Sequence, residues 1–257
     1  MPRYFLEVSY KGTNYSGFQM QRNTGKTIQA EIEKAFFVLQ RDPVLLTSSS
    51  RTDAGVHALQ NFFHFDTILP LGQWRGTKDE AQFIYKMNAI LPGDIVIKNL
   101  VPVKDDAHCR FDAISREYKY FIYRHKDPFL NDRAFYFPYK LDIDQLNIAA
   151  GVVKGYNDFT SFSKRNTQVK TFICDIKESE WKWEDDCLVY HVKGNRFLRG
   201  MVRALTATML KMGRGKMTLK DFHQVIQAKD CTKASFSVPS HGLFLVAVEY
   251  PVDYFLK

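Results

Sequence analysis

The sequence predicts an α+β protein built from two similar halves. Short runs of β-forming residues alternate with amphipathic segments, and in the first half the order is strand, helix, strand, strand, helix, strand. This is the order of a ferredoxin-like, or split βαβ, unit. A similar succession returns in the second half without a fixed sequence period, which argues against a solenoid. We expect an N-terminal α+β domain over residues 1–107 and a C-terminal α+β domain over residues 108–257.

In the first half, strands and helices are predicted from residue type and spacing. Strands are placed where β-branched and aromatic residues cluster, and helices where apolar residues recur every three or four positions. Thr27 stands directly before the first helical segment, where its hydroxyl can cap the helix N-terminus. The predicted elements are strands at 3–10, 44–47, 60–65 and 95–103, and helices at 27–40 and 78–90.

The second half follows the same plan with one additional helix. Asp142 with Gln145 three residues later has the pattern of a capping box, and Thr218 with Asp221 has a similar spacing. Residues 184–186 form an acidic turn between two strands. The predicted elements are strands at 115–125, 171–183, 187–193 and 242–250, and helices from 142, at 196–212 and at 218–228.

The predicted helix at 196–212 carries positive charge on one side. At 100° per residue, Arg196, Arg199 and Arg203 fall within one arc and apolar side chains fall on the other side. No acidic residue occurs from residue 192 to 217. Such a run is often a solvated helix face, but the formal net charge of the chain is +8. The combination favours contact with the phosphates of a nucleic acid.

Composition narrows the protein class further. The chain has 257 residues, of which 45% are hydrophobic, so it is long and apolar enough for a folded globular protein. Its four cysteines are scattered without a C-x-x-C pair and its histidines lack metal-ligand spacing, so we expect no structural zinc. No signal peptide and no run of 18 apolar residues is visible. We therefore expect a cytoplasmic protein that does not enter a membrane.

A loop between two predicted strands carries the first chemically suggestive pattern. Residues 48–58 read SSSRTDAGVHA, in which small residues surround Asp53 and place Arg51 two positions before it. In one interpretation these are ordinary polar loop residues and Gly55 serves a turn. In the other, Asp53 is a nucleophile or base and Arg51 positions an anionic substrate. The residues of the loop alone leave both interpretations open.

The strand at 116–123 supplies a second pattern. Tyr118 and Tyr120 share one face, and basic residues flank them along the chain. Aromatic rings beside basic residues can stack an unpaired base of RNA. The alternative is a pair of rings that packs against a neighbouring strand.

Across nearly its whole length, the sequence resembles the TruA-type tRNA pseudouridine synthases. The run RTDAGVH at 51–57 is highly specific for this family. The further matching segments are YKGTNYSGFQ at 10–19, TIQ at 27–29 with Glu33, NA at 88–89, LPGDI at 91–95, HCRFDA at 108–113, REYKY at 116–120, NDFTSF at 157–162, NRFLRGMVR at 195–203 and GLFL at 242–245.

The resemblance implies both a fold and an activity. The fold would be the pseudouridine synthase fold, in which two ferredoxin-like-derived halves form a central, mostly antiparallel sheet flanked by helices, with a basic cleft. The activity would be the isomerisation of uridine to pseudouridine at positions 38 to 40 in the anticodon stem-loop of tRNA. The family works as a homodimer, and the resemblance implies no cofactor and no metal.

The resemblance also assigns roles to individual residues. Asp53 matches the family nucleophile, Tyr118 the tyrosine that packs against the target base, and Arg203 the arginine that pairs with the catalytic carboxylate. Arg51 matches an arginine that helps to hold the flipped nucleotide. We also expect His57 and Arg199, which lie in matching segments, to contact substrate.

The chemistry requires residues of these types. The bond between N1 and C1′ must break, the uracil must turn, and C5 must bond to C1′. A carboxylate can attack C1′, or the base at C6, and hold one fragment meanwhile, and the sequence does not decide between them. A guanidinium within reach keeps the carboxylate ionised, and an aromatic ring stabilises the base outside its stack. The group that removes the C5 proton is not identified.

Three alternatives accompany this interpretation. Ser50 and the pair Gln60 and Asn61 depart from the usual family residues, and synthases of this type differ in which uridine they modify. The protein could thus be a paralogous synthase that acts on other RNA uridines. It could also be a catalytically silent tRNA-binding module, or a hydrolase of a small phosphorylated substrate with a carboxylate nucleophile. The hydrolase is disfavoured because no P-loop and no metal-ligand pattern is present.

Overall fold

The computed structural model describes residues 1–20, 25–165, 169–252 and 254–255. The chain forms two compact units, which we call the first and second unit. The first contains Met1–Ile114 and Leu245–Lys257, and the second contains Ser115–Phe244. The predicted boundary was instead after residue 107, with the whole C-terminal segment in the second domain. Hydrogen bonds explain the difference, since the Ile114 N–H donates to the Glu249 carbonyl at 2.8 Å.

The first unit has the strand order of a ferredoxin-like unit. Strand β1 lies between β3 and β4 and is antiparallel to both, and the short β2 pairs with the other edge of β3. The order β4-β1-β3-β2 and the two helices between strands match the predicted split βαβ arrangement. The elements are β1 (Arg3–Tyr10), α1 (Ile28–Gln40), β2 (Thr47–Ser48), β3 (His57–Asp66), α2 (Glu80–Ile90) and β4 (Ile95–Val103).

Aromatic side chains form much of the core of the first unit. Leu6 of β1 is fully buried and lies opposite Phe63 of β3 and Leu100 of β4. On the helices, Phe36 of α1 and Phe83 of α2 are buried with ring centroids 5.2 Å apart. Burial of large rings contributes most of the stabilisation of such a core. It holds the sheet rigid behind the loop that connects β2 to β3.

The second unit repeats the order of elements with additions. Strand β8 pairs antiparallel with β5 and β7, and a short β6 pairs parallel with β5. The last strand, β9, starts in this unit and continues into the C-terminal segment of the first unit. The elements are β5 (Ser115–Tyr123), β6 (Phe135–Tyr136), α3 (Ile143–Val153), β7 (Ile176–Glu184), β8 (Cys187–Gly194), α4 (Met201–Gly213), α5 (Leu219–Gln227) and β9 (Leu243–Glu249).

The predicted α+β class is confirmed. Both units combine sheet and helix, and their longer strand pairs run antiparallel. The predicted caps are present as well, since the side chains of Thr27, Asp142 and Thr218 accept backbone hydrogen bonds at the starts of α1, α3 and α5. Within the described ranges, no helix has the length and apolar character needed to cross a membrane.

The prediction of a cationic helix at 196–212 is wrong. Helix α4 starts at Met201, after Gly200 in the left-handed conformation with φ of 77°. Arg196 and Arg199 therefore lie in the loop before the helix, and the helical wheel does not apply to them. Apart from Arg203 and Lys211, the residues of α4 are buried. A helix that is buried nearly all round has no polar face to carry a stripe of charge.

Candidate functional site

The loop between β2 and β3 places Asp53 at a tight turn. The Val56 N–H donates to the Asp53 carbonyl at 3.2 Å, which closes the turn. The Asp53 side chain is half-buried, whereas Arg51 is exposed and has no hydrogen-bond or ion-pair partner among the described residues. The turn thus presents a half-buried carboxylate, with an exposed guanidinium two residues earlier.

A buried network of neutral side chains holds the chain just before Asp53. Its centre is the Asn61 amide, whose Nδ2 donates to the Ser50 carbonyl at 3.0 Å and to the Tyr10 hydroxyl at 3.2 Å. Its Oδ1 accepts from the Ser49 hydroxyl at 2.7 Å. The Tyr10 and Thr52 hydroxyls share a hydrogen bond of 2.8 Å. Since all five residues are buried, the network fixes the loop up to the residue that precedes Asp53.

The segment after β1 supports the other side of the turn. The Gly12 N–H donates to His57 Nδ1 at 3.1 Å, and the Phe18 N–H donates to the Thr52 carbonyl at 3.1 Å. A Cβ at Gly12 would lie 2.0 Å from the Val56 carbonyl oxygen, so only glycine fits there. The His57 ring is 1% exposed. We expected His57 to contact substrate, but in this structure it lies inside the fold and supports the loop.

Helix α1 fixes the chain that enters β2. Glu33 Oε1 accepts from the Leu46 N–H at 3.0 Å and from Gln29 Nε2 at 2.8 Å. Gln29 Nε2 also donates to the Leu46 carbonyl at 3.2 Å, and Gln29 Oε1 accepts from the Met20 N–H at 3.1 Å. One helix thereby ties together the chain segments before and after it.

In the second unit, Tyr118 lies on β5 against the loop that precedes α4. Its half-buried ring meets the ring of Phe197 edge-on, with centroids 5.1 Å apart and an interplanar angle of 79°. The loop is anchored at Asn195, whose carbonyl accepts from Arg116 Nη1 at 2.9 Å and whose N–H donates to the Asp175 carbonyl at 2.9 Å. The ring of Tyr118 is therefore held at a defined angle on a rigid strand.

Arg203 is a half-buried residue near the start of α4. Its Nε and Nη2 donate to the Val238 carbonyl at 3.1 and 2.7 Å, and the Tyr120 hydroxyl donates to the next carbonyl, of Pro239, at 2.7 Å. Burial raises the pKa of Tyr120, and the nearby Arg203 partly opposes this. A guanidinium has five N–H donors, so two bonds to one carbonyl do not exhaust its capacity for an anion.

Arg199 is exposed in the loop before α4. Its carbonyl accepts from the Lys164 N–H at 3.0 Å, which joins this loop to the segment after the 3-10 helix Thr160–Phe162. Within the second unit, the predicted residues Tyr118, Arg199 and Arg203 thus lie on β5, on the loop before α4 and on α4 itself. Within the first unit, Arg51, Asp53 and His57 lie on one loop and the strand that follows it.

Comparison with known proteins decides the family. A family model described as tRNA pseudouridine synthase matches residues 7–112 and 149–251. The chain belongs to this family. Its members are isomerases, so the chain is an enzyme of RNA modification and the family resemblance predicted from the motifs is confirmed.

Full-length relatives support the same assignment. A tRNA pseudouridine synthase A of Parabacteroides distasonis is 46% identical over 99% of this chain and 98% of its own length. The protein of the same name from Porphyromonas gingivalis is 41% identical, with all of both chains covered. That of Staphylococcus aureus strain N315 is 38% identical over 99% of this chain and 93% of its own.

One group among the described residues has metal-ligand chemistry. His64, His108 and Cys109 each offer a ligand atom, and these atoms lie within 4.8 Å of one another. However, His64 Nδ1 is 3.2 Å from Cys109 Sγ, and His108 Nδ1 accepts from the Arg110 N–H at 3.1 Å, which places the His108 proton on Nε2. These contacts give the three side chains partners within the protein, and the absence of zinc stays a prediction.

Sequence reasoning missed the residues that position the turn. Asn61 is the clearest case, because it makes three of the bonds in the buried network. The signal for it was an amide inside the otherwise apolar strand at 60–65, since a polar group in a buried strand requires partners. Glu33 and Gln29 appeared only as matching residues, without a structural reason.

Proposed function

We propose that the protein converts uridine to pseudouridine at positions 38 to 40 of the tRNA anticodon stem-loop, with Asp53 as nucleophile. The family assignment supports the reaction class. The observation that carries the residue assignment is the turn at Asp53, which a buried network of neutral groups fixes on the preceding side. A nucleophile must meet its target in a defined direction, and rigid placement of this kind supplies it.

The Asp53 carboxylate would attack the uridine and retain one fragment while the uracil turns. Attack at C1′ and attack at C6 both require an ionised carboxylate that is directed at the nucleotide. The bond between N1 and C1′ breaks, and after rotation C5 bonds to C1′. C5 loses its proton, N1 gains one, and the bond to Asp53 breaks, which completes the isomerisation without any change in oxidation state. The reaction is balanced without a second substrate, and the proposal therefore includes no cofactor and no metal.

The remaining residues would bind and orient the nucleotide. The Phe197 ring contacts the Tyr118 ring edge-on. The Tyr118 ring would pack against a base that has left its stack. Arg203, with donors beyond those to Val238, would keep the catalytic carboxylate ionised and aligned. Arg51 and Arg199 are exposed guanidinium groups that would contact phosphates of the flipped nucleotide and its neighbours. His57 would act through the loop that it supports.

Assembly as a homodimer belongs to the same proposal. It comes from the family resemblance, and light scattering of the purified protein tests it. A mass of twice 29.9 kDa is expected. A monomer that is fully active on tRNA would refute this part of the proposal.

The experiment on the activity uses unmodified tRNA transcripts that carry uridine at 38, 39 or 40 alone. Wild type should form pseudouridine at these positions, and Asp53→Ala should form none. Asp42→Ala is the matched control, because Asp42 is an exposed acid in the same unit. Equal product from wild type and Asp53→Ala would refute the nucleophile. Product only at other uridines would instead favour a paralogous specificity.

A further inference from the structure

The second unit contains a cavity of about 280 Å³ that the assigned roles leave unused. It lies between the segment after the 3-10 helix Thr160–Phe162 and the chain that follows α5. One wall is joined to the loop before α4 through the bond from the Lys164 N–H to the Arg199 carbonyl. Its lining residues are Thr160, Ser163, Lys164, Arg165, Phe172, Lys229, Asp230 and Cys231.

The lining is rich in cations. Lys164, Arg165 and Lys229 face one acid of the lining, Asp230. The Asp230 carboxylate is already engaged, since it accepts from the backbone N–H and the hydroxyl of Thr232, each at 2.8 Å. The N–H of Thr232 is the largest cause that lowers the pKa of Asp230, which stays ionised but directed at its own turn. With Asp158, which pairs with Lys229 at 2.8 Å, three cations face two carboxylates, so the cavity keeps a net positive charge.

The positions of two of these cations are built into the fold. Lys229 has a φ of 49°, in the left-handed region that favours glycine, and its Nζ lies 2.8 Å from Asp158. Arg165 Nε donates to Cys231 Sγ at 3.3 Å, which places the guanidinium beside another residue of the cavity lining. The ion pair with Asp158 holds the Lys229 ammonium beside the cavity.

We propose that this cavity binds a phosphate of the tRNA backbone. The proposal rests on the proposed function only in that tRNA is the substrate. The Arg165 guanidinium and the Lys164 and Lys229 ammonium groups match the charged donors that phosphate contacts use. The cavity is too small for a folded RNA element, but it can accept one phosphate of a strand that continues across the open surface.

Cys231 provides a direct reporter of occupancy. It is half-buried in the lining, whereas Cys109, Cys174 and Cys187 are buried, so iodoacetamide should alkylate Cys231 first. Full-length tRNA at ten times its Kd should slow this alkylation about tenfold, because only the unoccupied fraction reacts. Cys231→Ser gives the background. An alkylation rate that tRNA leaves unchanged would overturn the proposal.

Inorganic phosphate serves as the second probe in the same assay. Protection by tRNA but not by millimolar phosphate identifies an RNA contact that depends on the rest of the nucleic acid, as proposed. Protection by phosphate alone, with none by tRNA, would assign the cavity to a small anion and overturn the RNA assignment.

Salt dependence gives an independent measurement. The double variant Arg165→Gln, Lys229→Gln should weaken tRNA binding and reduce the slope of log K against log salt by about 1, the value of one phosphate contact. The control Lys177→Gln, Lys220→Gln removes the same charge from exposed residues of the second unit outside the cavity. It should change the slope less. Equal slopes for the two double variants would contradict a specific phosphate contact.

The charge-conserving pair Arg165→Lys, Lys229→Arg separates binding from folding. If the glutamine variant is weak only because the loss of the Lys229–Asp158 pair unfolds this region, its thermal midpoint will fall while the salt slope stays at the wild-type value. That outcome also overturns the proposal. Restored slope and restored protection of Cys231 in the charge-conserving variant support it. Both readouts measure binding, so they remain valid even if Asp53 is not the nucleophile.

Discussion

Asp53 of the first unit and the predicted arginines of the second unit are held in different ways. In the first unit, Asp53 follows a loop that is fixed by buried, uncharged groups and by close backbone packing. In the second unit, Arg199 is an exposed cation and Arg203 is bound to a carbonyl by only part of its guanidinium. The difference suggests a division of labour. The reacting acid needs one direction, whereas RNA-binding cations need reach and adaptability.

The largest expected effect comes from Gly12→Ala, which disturbs the close packing of the loop that carries Asp53 in the first unit. The added Cβ would meet the Val56 carbonyl oxygen, a backbone atom that no rotamer change can move. We expect a loss of about 3 kcal/mol in the free energy of unfolding, together with loss of isomerase activity. Denaturant unfolding measures the first effect. Gly72→Ala is the control, because nothing lies within 4 Å of its Cβ, and equal behaviour of the two variants would contradict the close-packing argument.

Asn61→Leu tests the buried network. The leucine leaves the Ser50 carbonyl and the Ser49 and Tyr10 hydroxyls without their amide partner, at a cost of about 2 kcal/mol. Displacement of the turn should lower kcat roughly 10²-fold while KM for tRNA changes little.

The matched control for Asn61 is Asn88→Leu. Asn88 of α2 bonds the N–H and carbonyl of Ile97 on β4 at 2.8 Å each, so its loss also removes two part-buried amide bonds in the first unit. It should destabilise the unit with kcat almost unchanged. If both variants lose kcat in proportion to stability, the network has no special role in positioning Asp53.

Arg203→Lys is the corresponding test in the second unit. Lysine keeps the charge but cannot place two N–H donors on the Val238 carbonyl and also direct others at an anion. We expect kcat to fall about tenfold, the value of one charge-assisted hydrogen bond, with little change in the thermal midpoint. If Arg203→Lys keeps the kcat and the pH-rate profile of wild type, a positive charge alone is sufficient at this position.

The smallest expected effect concerns acid stability of the first unit. Burial lowers the pKa of His64 to about 4, and burial also lowers the pKa of His108 beside it. The unfolded chain therefore binds protons more readily below pH 6.5, and the free energy of unfolding should decrease as the pH falls towards 4. His64→Asn should reduce the loss between pH 7 and 5 by about 1 kcal/mol in urea titrations. An unaltered pH dependence would show that the pKa of His64 is the same in the folded and unfolded states.

Much of the fold could be predicted because local signals agreed with the tertiary structure. Thr27 and Thr218 cap the helices that their spacing indicated, and β1 and β4 have the predicted bounds. Helix α4 could not be delimited, since periodicity alone continued it back to residue 196. Gly200, in the left-handed conformation, fixes the start of the helix at Met201. Surrounding elements bury the helix on nearly all sides, so its residues are mostly apolar.

The candidate site was predictable in its residue types but not in its support. The family motif drew attention to Asp53, Tyr118 and Arg203, which chemistry alone would have left among many polar residues. The interior placement of His57 depends on the approach of Gly12, forty-five residues earlier, and no local pattern reports such a contact. The cavity beside Arg165 likewise combines segments that are far apart in sequence.

The most direct test of the central claim is a single-turnover measurement with enzyme in excess over tRNA. Asp53→Asn keeps the size of the side chain and removes its charge and nucleophilicity. We expect it to bind tRNA with a Kd close to that of wild type and to form pseudouridine at least about 10³-fold more slowly. Pseudouridine formation at the wild-type rate by Asp53→Asn would contradict the account.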